Sequence, residues 1–214
     1  VNEGVRRDPE APVRLGKDRI VADDHAVEEQ ERIYLMMNKP RGLVTTASDE
    51  KGRETVYTLL HKSGESLPWV APVGRLDRGS EGLLLLTNDS EWGARITAPE
   101  THLEKTYHVQ INALADAKLI EALGKDIKAD GGTLRASRVC LLRSGEKNCW
   151  LEVVLDEGKN RQIRRMLESL DVDVLRLVRV AIGPLQLGEL MKGAFRALAK
   201  EEKRMLDRAM RGTA

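Results

Sequence analysis

The segment GLLLLTN, residues 82–88, most constrains what this chain can fold into. Side chains alternate between the two faces of a strand, so four leucines in a row cannot all face one side. A strand of this kind must be buried on both faces, and the fold must supply a layer on each. Just before it lies a polar loop, GRLDRGSE, residues 74–81. Gly79 and Gly82 allow backbone angles that other residues avoid. The chain therefore sets Asp77 and Glu81 at the mouth of an apolar strand. A carboxylate in such a place has a partner or a task; an aspartate capping a turn is the plainer alternative.

Around this strand the pattern mixes elements. IYLMMNK, from Ile33, has strand length and ends at Pro40-Arg41-Gly42. TVYTLLH fits a short helix, and WVAPVG is extended. Asp89 can cap a helix running to about Ala98, where Pro99 stops it. KTYHVQIN alternates as a strand, and DAKLIEALGKD reads as a helix closed by Gly124. ASRVCLLR and CWLEVVLDE form two strands around a turn at Gly145-Glu146. NRQIRRMLESL is amphipathic at helical spacing, with Ile163, Met166, Leu167 and Leu170 as its apolar stripe. DVLRLVRVAIG is extended, and a charged helix runs from Ala199 to Met210. Hairpin-like neighbours in such a mixture point to an α+β fold rather than a doubly wound one.

The 214 residues, 41% of them apolar, suffice for one substantial core or two small ones. No run approaches the roughly eighteen apolar residues of a membrane span. No basic-then-apolar leader opens the sequence, although it starts at Val1 and not at Met, which leaves room for an upstream segment. Cys140 and Cys149 offer neither a disulfide framework nor zinc spacing, and fit a reducing cytoplasm as small apolar side chains. His25, His61, His102 and His108 show no metal spacing. The glycines are not spaced as in a phosphate-binding loop.

A net charge of +1 conceals a division. Residues 1–31 hold nine acidic and five basic side chains, a balance of −4, so the remainder carries +5. Within the remainder, Lys159, Arg161, Arg164, Arg165, Arg176 and Arg179 crowd into 158–179 against Glu168, Asp171 and Asp173. Such a patch can steer a polyanion, though a solvated helix face gives the same composition.

Five ordered segments then carry a resemblance. GRLDRGSEGLLLLTND closely resembles the catalytic motif of RsuA-type pseudouridine synthases. MMNKPRGLVTT resembles the opening strand of that family, EKTYHV its tyrosine motif, EGKNRQIRRML its basic-helix motif and RLVRVAIGPLQLGEL its closing strand. The likeness runs from about Ile33 to Leu198; Ser80 and Ser90 depart from the commoner Thr and Gly without touching the chemistry. It implies a pseudouridine synthase fold: a central, mostly antiparallel mixed sheet flanked by helices, with a catalytic cleft across it, over residues 32–214. Residues 1–31 look like the last part of an alpha-L-type RNA-binding domain plus a linker, with the helical first half absent.

The resemblance also implies a reaction. Asp77 would be the nucleophile, attacking the sugar or the ring or helping to form a glycal. Arg164 matches the arginine that pairs with this aspartate and keeps it ionised. Tyr107 matches the tyrosine that stacks on the target base. Arg75 and Arg78 flank Asp77, and Lys39, Arg41, Lys159, Arg161 and Arg165 are candidates for the RNA backbone. No metal and no organic cofactor are expected. The expected partner is ribosomal RNA, the large subunit ahead of the small, acted on by a cytoplasmic monomer. Two rivals remain at this stage: an RNA-binding protein without catalysis, and a glycoside hydrolase with Asp77 and Glu81 as its acid pair.

Overall fold

The computed structural model describes residues 18, 20–22, 25–27, 31–64, 66–129 and 132–211. Two units divide the chain, Val1–Arg32 and Ile33–Ala214. In the first, β1 (Ile20–Ala22) and β2 (His25–Val27) pair as an antiparallel hairpin. Asp8-Pro9 and the stretch near Pro12, which by residue type suit turns, lie outside the described residues.

The second unit contains β3 (Tyr34–Lys39), α1 (Tyr57–Lys62), β4 (Ala71–Val73), β5 (Glu81–Thr87) and α2 (Ser90–Thr97). Next come β6 (Lys105–Ile111), α3 (Ala117–Leu123), the short pair β7 (Ile127–Ala129) and β8 (Gly132–Leu134), β9 (Arg138–Ser144) and β10 (Cys149–Leu155). The chain continues through α4 (Gln162–Glu168), β11 (Val174–Ile182), β12 (Leu185–Gln186), β13 (Phe195–Ala197) and α5 (Lys200–Ala209). The large sheet runs β13-β3-β5-β11-β6-β10-β9, with β4 added to β5 and β12 to β11. Its β5–β11 pair is parallel and its other neighbouring pairs are antiparallel. This is the mixed, mostly antiparallel α+β sheet expected from the sequence.

All seven residues of β5 are buried, as the leucine run requires. Leu83 and Leu85 join Trp92 and Ile96 of α2 and Leu206 of α5 in one core. Leu84 and Leu86 join Val56 and Leu60 of the α1 region in another. At roughly 1.5–3 kcal/mol for each buried leucine, this strand anchors both layers. A third core joins β6, β10 and β11 to α3 and α4, using Ile163, Met166 and Leu167 of the predicted stripe. Asp89 caps α2 by accepting from the Trp92 amide at 3.0 Å, and the Tyr34 hydroxyl donates to its other oxygen at 2.7 Å. The β7–β8 pair and the short β12 and β13 were not anticipated: each has two or three residues, too few for periodicity to register.

Candidate active site

The loop before β5 is fixed through its backbone. The Thr45 hydroxyl donates to the Leu76 carbonyl at 2.8 Å, and the Ser80 amide donates to the Asp77 carbonyl at 2.9 Å. The Gly42 amide donates to the Arg78 carbonyl at 2.8 Å, and Arg164 Nη2 donates to the Gly79 carbonyl at 3.1 Å. From below, Lys39 Nζ donates to the carbonyls of Ser80 at 2.9 Å, Pro40 at 3.1 Å and Asp77 at 3.2 Å. Every residue from Leu76 to Ser80 is thus held by its main chain. The Asp77 carboxylate takes no part in that bracing and is left for other use.

That carboxylate lines a cleft of about 350 Å³ together with Arg75, Lys105, Tyr107, Lys159, Arg161, Arg164 and Arg179. Tyr107 lies on β6 with Val153 of β10 and Arg179 of β11 as its strand neighbours, and its ring packs against two of the cores. Arg161 Nη1 pairs with Asp77 Oδ2 at 3.8 Å, with the side chains 52% and 34% exposed. A pair that open contributes at most about 1 kcal/mol, so its effect is on orientation and charge. Arg161 precedes α4 in the left-handed region, at φ +48°. Buried Gln162 stiffens this bend: its amide nitrogen donates to the Arg135 carbonyl and the Glu157 carboxylate, and its oxygen accepts from the Lys159 amide.

The cleft gathers Asp77, Tyr107 and Arg164, but the expected contact between Asp77 and Arg164 is rearranged. Arg164 holds the Gly79 carbonyl, and Arg161 makes the ion pair. Burial pushes Arg164 downward from the usual arginine range, as does Arg161, whereas the Asp77 charge acts upward. The two groups therefore interact by field, not by fork. Arg75, Arg41, Arg78, Lys159 and Arg161 are exposed, as phosphate contacts should be, and Arg165 is half-buried with Nη1 on the Asn160 carbonyl.

Two other expectations need correction. Lys39 is not a surface cation: it is 0% exposed, with its ammonium spent on three carbonyls. Glu81 is no acid partner for Asp77: it is buried, lies outside the cleft lining and is held by Arg176 at 2.9 Å and by Lys192. Burial alone would raise its pKa, but those two cations hold it below the usual carboxylate range. Arg179 and Lys105 were missed as cleft residues, although alternation sets Lys105 on the face of Tyr107, Val109 and Ile111 and Arg179 on that of Leu177 and Ala181. Among the described residues, no group of three or more His, Cys, Asp or Glu side chains could hold a metal ion.

Lys39 gives a pH test. Burial lowers its pKa to about 8, although Asp77 and Glu81 pull upward. The unfolded chain holds this proton up to about pH 10.4, so between the two values it binds more protons than the fold does. Stability contributed at this position therefore rises as pH climbs from about 8 to 10.4. We expect urea midpoints of wild type to gain on those of Lys39→Met over that interval. Parallel pH curves for the two proteins would contradict the buried ammonium.

A family model described as RNA pseudouridylate synthase matches residues 33–169. The ribosomal large subunit pseudouridine synthase B of Bacillus subtilis is 32% identical over 193 residues, covering 89% of this chain and 78% of that protein. An uncharacterized RNA pseudouridine synthase of Aquifex aeolicus is 34% identical over 208 residues, covering 97% and 80%. A crystal structure of a pseudouridylate synthase superposes with a TM-score of 0.71 at 29% identity, covering 96% of this chain and 86% of that one.

Proposed function

The chain belongs to the RNA pseudouridylate synthase family, in the RsuA-type branch its motifs resemble, and we propose that it converts one uridine of ribosomal RNA to pseudouridine. The observation that carries this reading is the meeting of Asp77, Tyr107 and Arg164 in one cleft. In the proposed reaction the bond from ribose C1′ to uracil N1 breaks. The base turns and C5 bonds to C1′, C5 loses its proton, and N1 gains one. Asp77 is the nucleophile. Tyr107 offers the freed ring a flat face that does not fix its angle, contributing roughly 1–3 kcal/mol of stacking. Arg164 holds the loop through Gly79 and adds positive field at the carboxylate. The uridine reaches them by leaving its stack, at a cost of about a few kcal/mol.

Around the cleft, Arg75, Arg78, Arg41, Lys159, Arg161 and Arg165 are proposed to hold the RNA backbone, which gives affinity with little sequence information. Residues 1–31 are proposed as the C-terminal remnant of an alpha-L-type RNA-binding domain with its linker, and 32–214 as the catalytic domain. The large subunit is favoured because the B. subtilis relative bears that name. A cytoplasmic monomer fits this reading, and among the described residues no helix is long and apolar enough to cross a membrane.

Mapping pseudouridines in ribosomal RNA from cells lacking the gene tests the substrate. One missing mark, restored by the wild-type gene and not by one encoding Asp77→Asn, is the expected result. An unchanged ribosomal map, with a mark lost from transfer or messenger RNA instead, would overturn the ribosomal assignment.

A further inference from the structure

Arg179 has no place in the roles above, yet it is 6% exposed and lines the same cleft. Its register sets it directly beside Tyr107 on β11 and, on the other side, beside Gly82 of β5. Nε donates to the Leu83 carbonyl at 2.8 Å. Nη2 is buried with no hydrogen-bond partner, and among the described residues Arg179 makes no ion pair. A buried guanidinium with a free donor and no ion-pair partner is costly, and such a group calls for an acceptor brought from outside.

Lys105 adds to the imbalance. It lines the same cleft, two residues before Tyr107 on β6. Burial pushes its pKa down and the charge of Arg179 pushes it further, with Asp156 opposing. Two cations thus line the cleft beside Tyr107. Phosphates have exposed partners at the rim in Arg75 and Arg161. The ligand atom that reaches Arg179 is therefore one that travels with the ring.

We propose that Arg179, with Lys105 beside it, stabilises the negative charge that collects on uracil as its bond to the ribose breaks. This rests on the reading of the cleft as the uridine site. When C1′–N1 breaks, the bonding pair stays on N1 and spreads to the oxygens on C2 and C4. A donor fixed where one of those oxygens lies binds the ring more tightly as charge grows, which is how a preorganised donor lowers a barrier. The charge is discharged when C5 gives its electron pair to C1′ and its proton leaves.

The test follows single-turnover loss of the C1′–N1 bond in unmodified 16S and 23S transcripts containing either uridine or 5-fluorouridine, because the fluorinated ring has no C5 proton to release and cannot finish as pseudouridine. Fluorine withdraws electrons and makes the base a better leaving group. Arg179→Met should slow conversion of uridine by about 100-fold, the scale on which losing one such donor is felt. RNA affinity should stay within about threefold of wild type, and the loss with 5-fluorouridine should be several-fold smaller. Arg179→Lys, which keeps the charge, should show the same pattern with smaller losses and decides the matter should the Met variant not fold. Equal losses on both bases in the folded variants, or no loss at all, would overturn the proposal and leave Arg179 a packing residue. The uridine-site reading fails separately, if Asp77→Asn converts either transcript as fast as wild type.

Discussion

Asp77→Asn will slow uridine conversion by at least about 10³-fold while RNA is held within about threefold of wild-type affinity. The first half follows from chemistry: an amide oxygen is a poor nucleophile and a poor base. The second half follows from how the loop is built. Lys39 and the Ser80 amide hold the Asp77 carbonyl, not its carboxylate, so the substitution leaves the bracing intact. Among the described residues, the one ion pair it removes is the open one with Arg161, which contributes at most about 1 kcal/mol. Melting temperature should accordingly stay close to wild type, which separates lost chemistry from lost structure. A purely RNA-binding chain would show no conversion in either protein, and turnover near the wild-type rate in the variant would remove Asp77 from the mechanism. Measured at saturating enzyme in a single turnover, the experiment reads the chemical step without product release.

The parts of this site that were legible in the sequence are those with local signals. The leucine run demanded burial on both faces, and β5 has it at every position. Asp89 before an amphipathic segment announced the cap that the Trp92 amide now satisfies. The stripe of Ile163, Met166 and Leu167 foretold the buried face of α4. What escaped was set by partners distant in sequence. Lys39 sits in NKPRG and reads as a surface cation; the carbonyls of Asp77 and Ser80 that bury it lie 38 and 41 residues on. Arg161 takes the pair expected of Arg164 because its backbone turns left-handed before α4, and no residue type forecasts that for an arginine. Alternation sets Arg179 on the face of Leu177 and Ala181 in LRLVRVA, but the cleft it faces exists only once β6, β11 and the Asp77 loop are assembled.

Gly82→Ala will lower the melting temperature by at least about 6 °C, which for a chain of this size corresponds to roughly 3 kcal/mol or more. Two independent costs meet there. The residue has φ +103°, outside the range that a side chain tolerates, and a Cβ would stand 2.2 Å from the Arg179 carbonyl oxygen. That oxygen belongs to the neighbouring strand backbone and has no rotamer by which to move aside. Relief therefore requires β5 and β11 to separate at their one parallel contact, between Val178–Arg179 and Glu81–Gly82. Gly52→Ala isolates the first cost from the second: φ is +64° there, with nothing within 4 Å of the added carbon, so a loss of about 1 kcal/mol is expected. Because Lys39 also pairs with Gly82 in the register, the shift would reach the ammonium under the Asp77 loop as well as Arg179. Activity of Gly82→Ala should then fall even at temperatures where it remains folded. A variant that melts within about 2 °C of wild type would mean that the two backbones do not approach this closely, and the support assigned to the cleft floor would be lost with them.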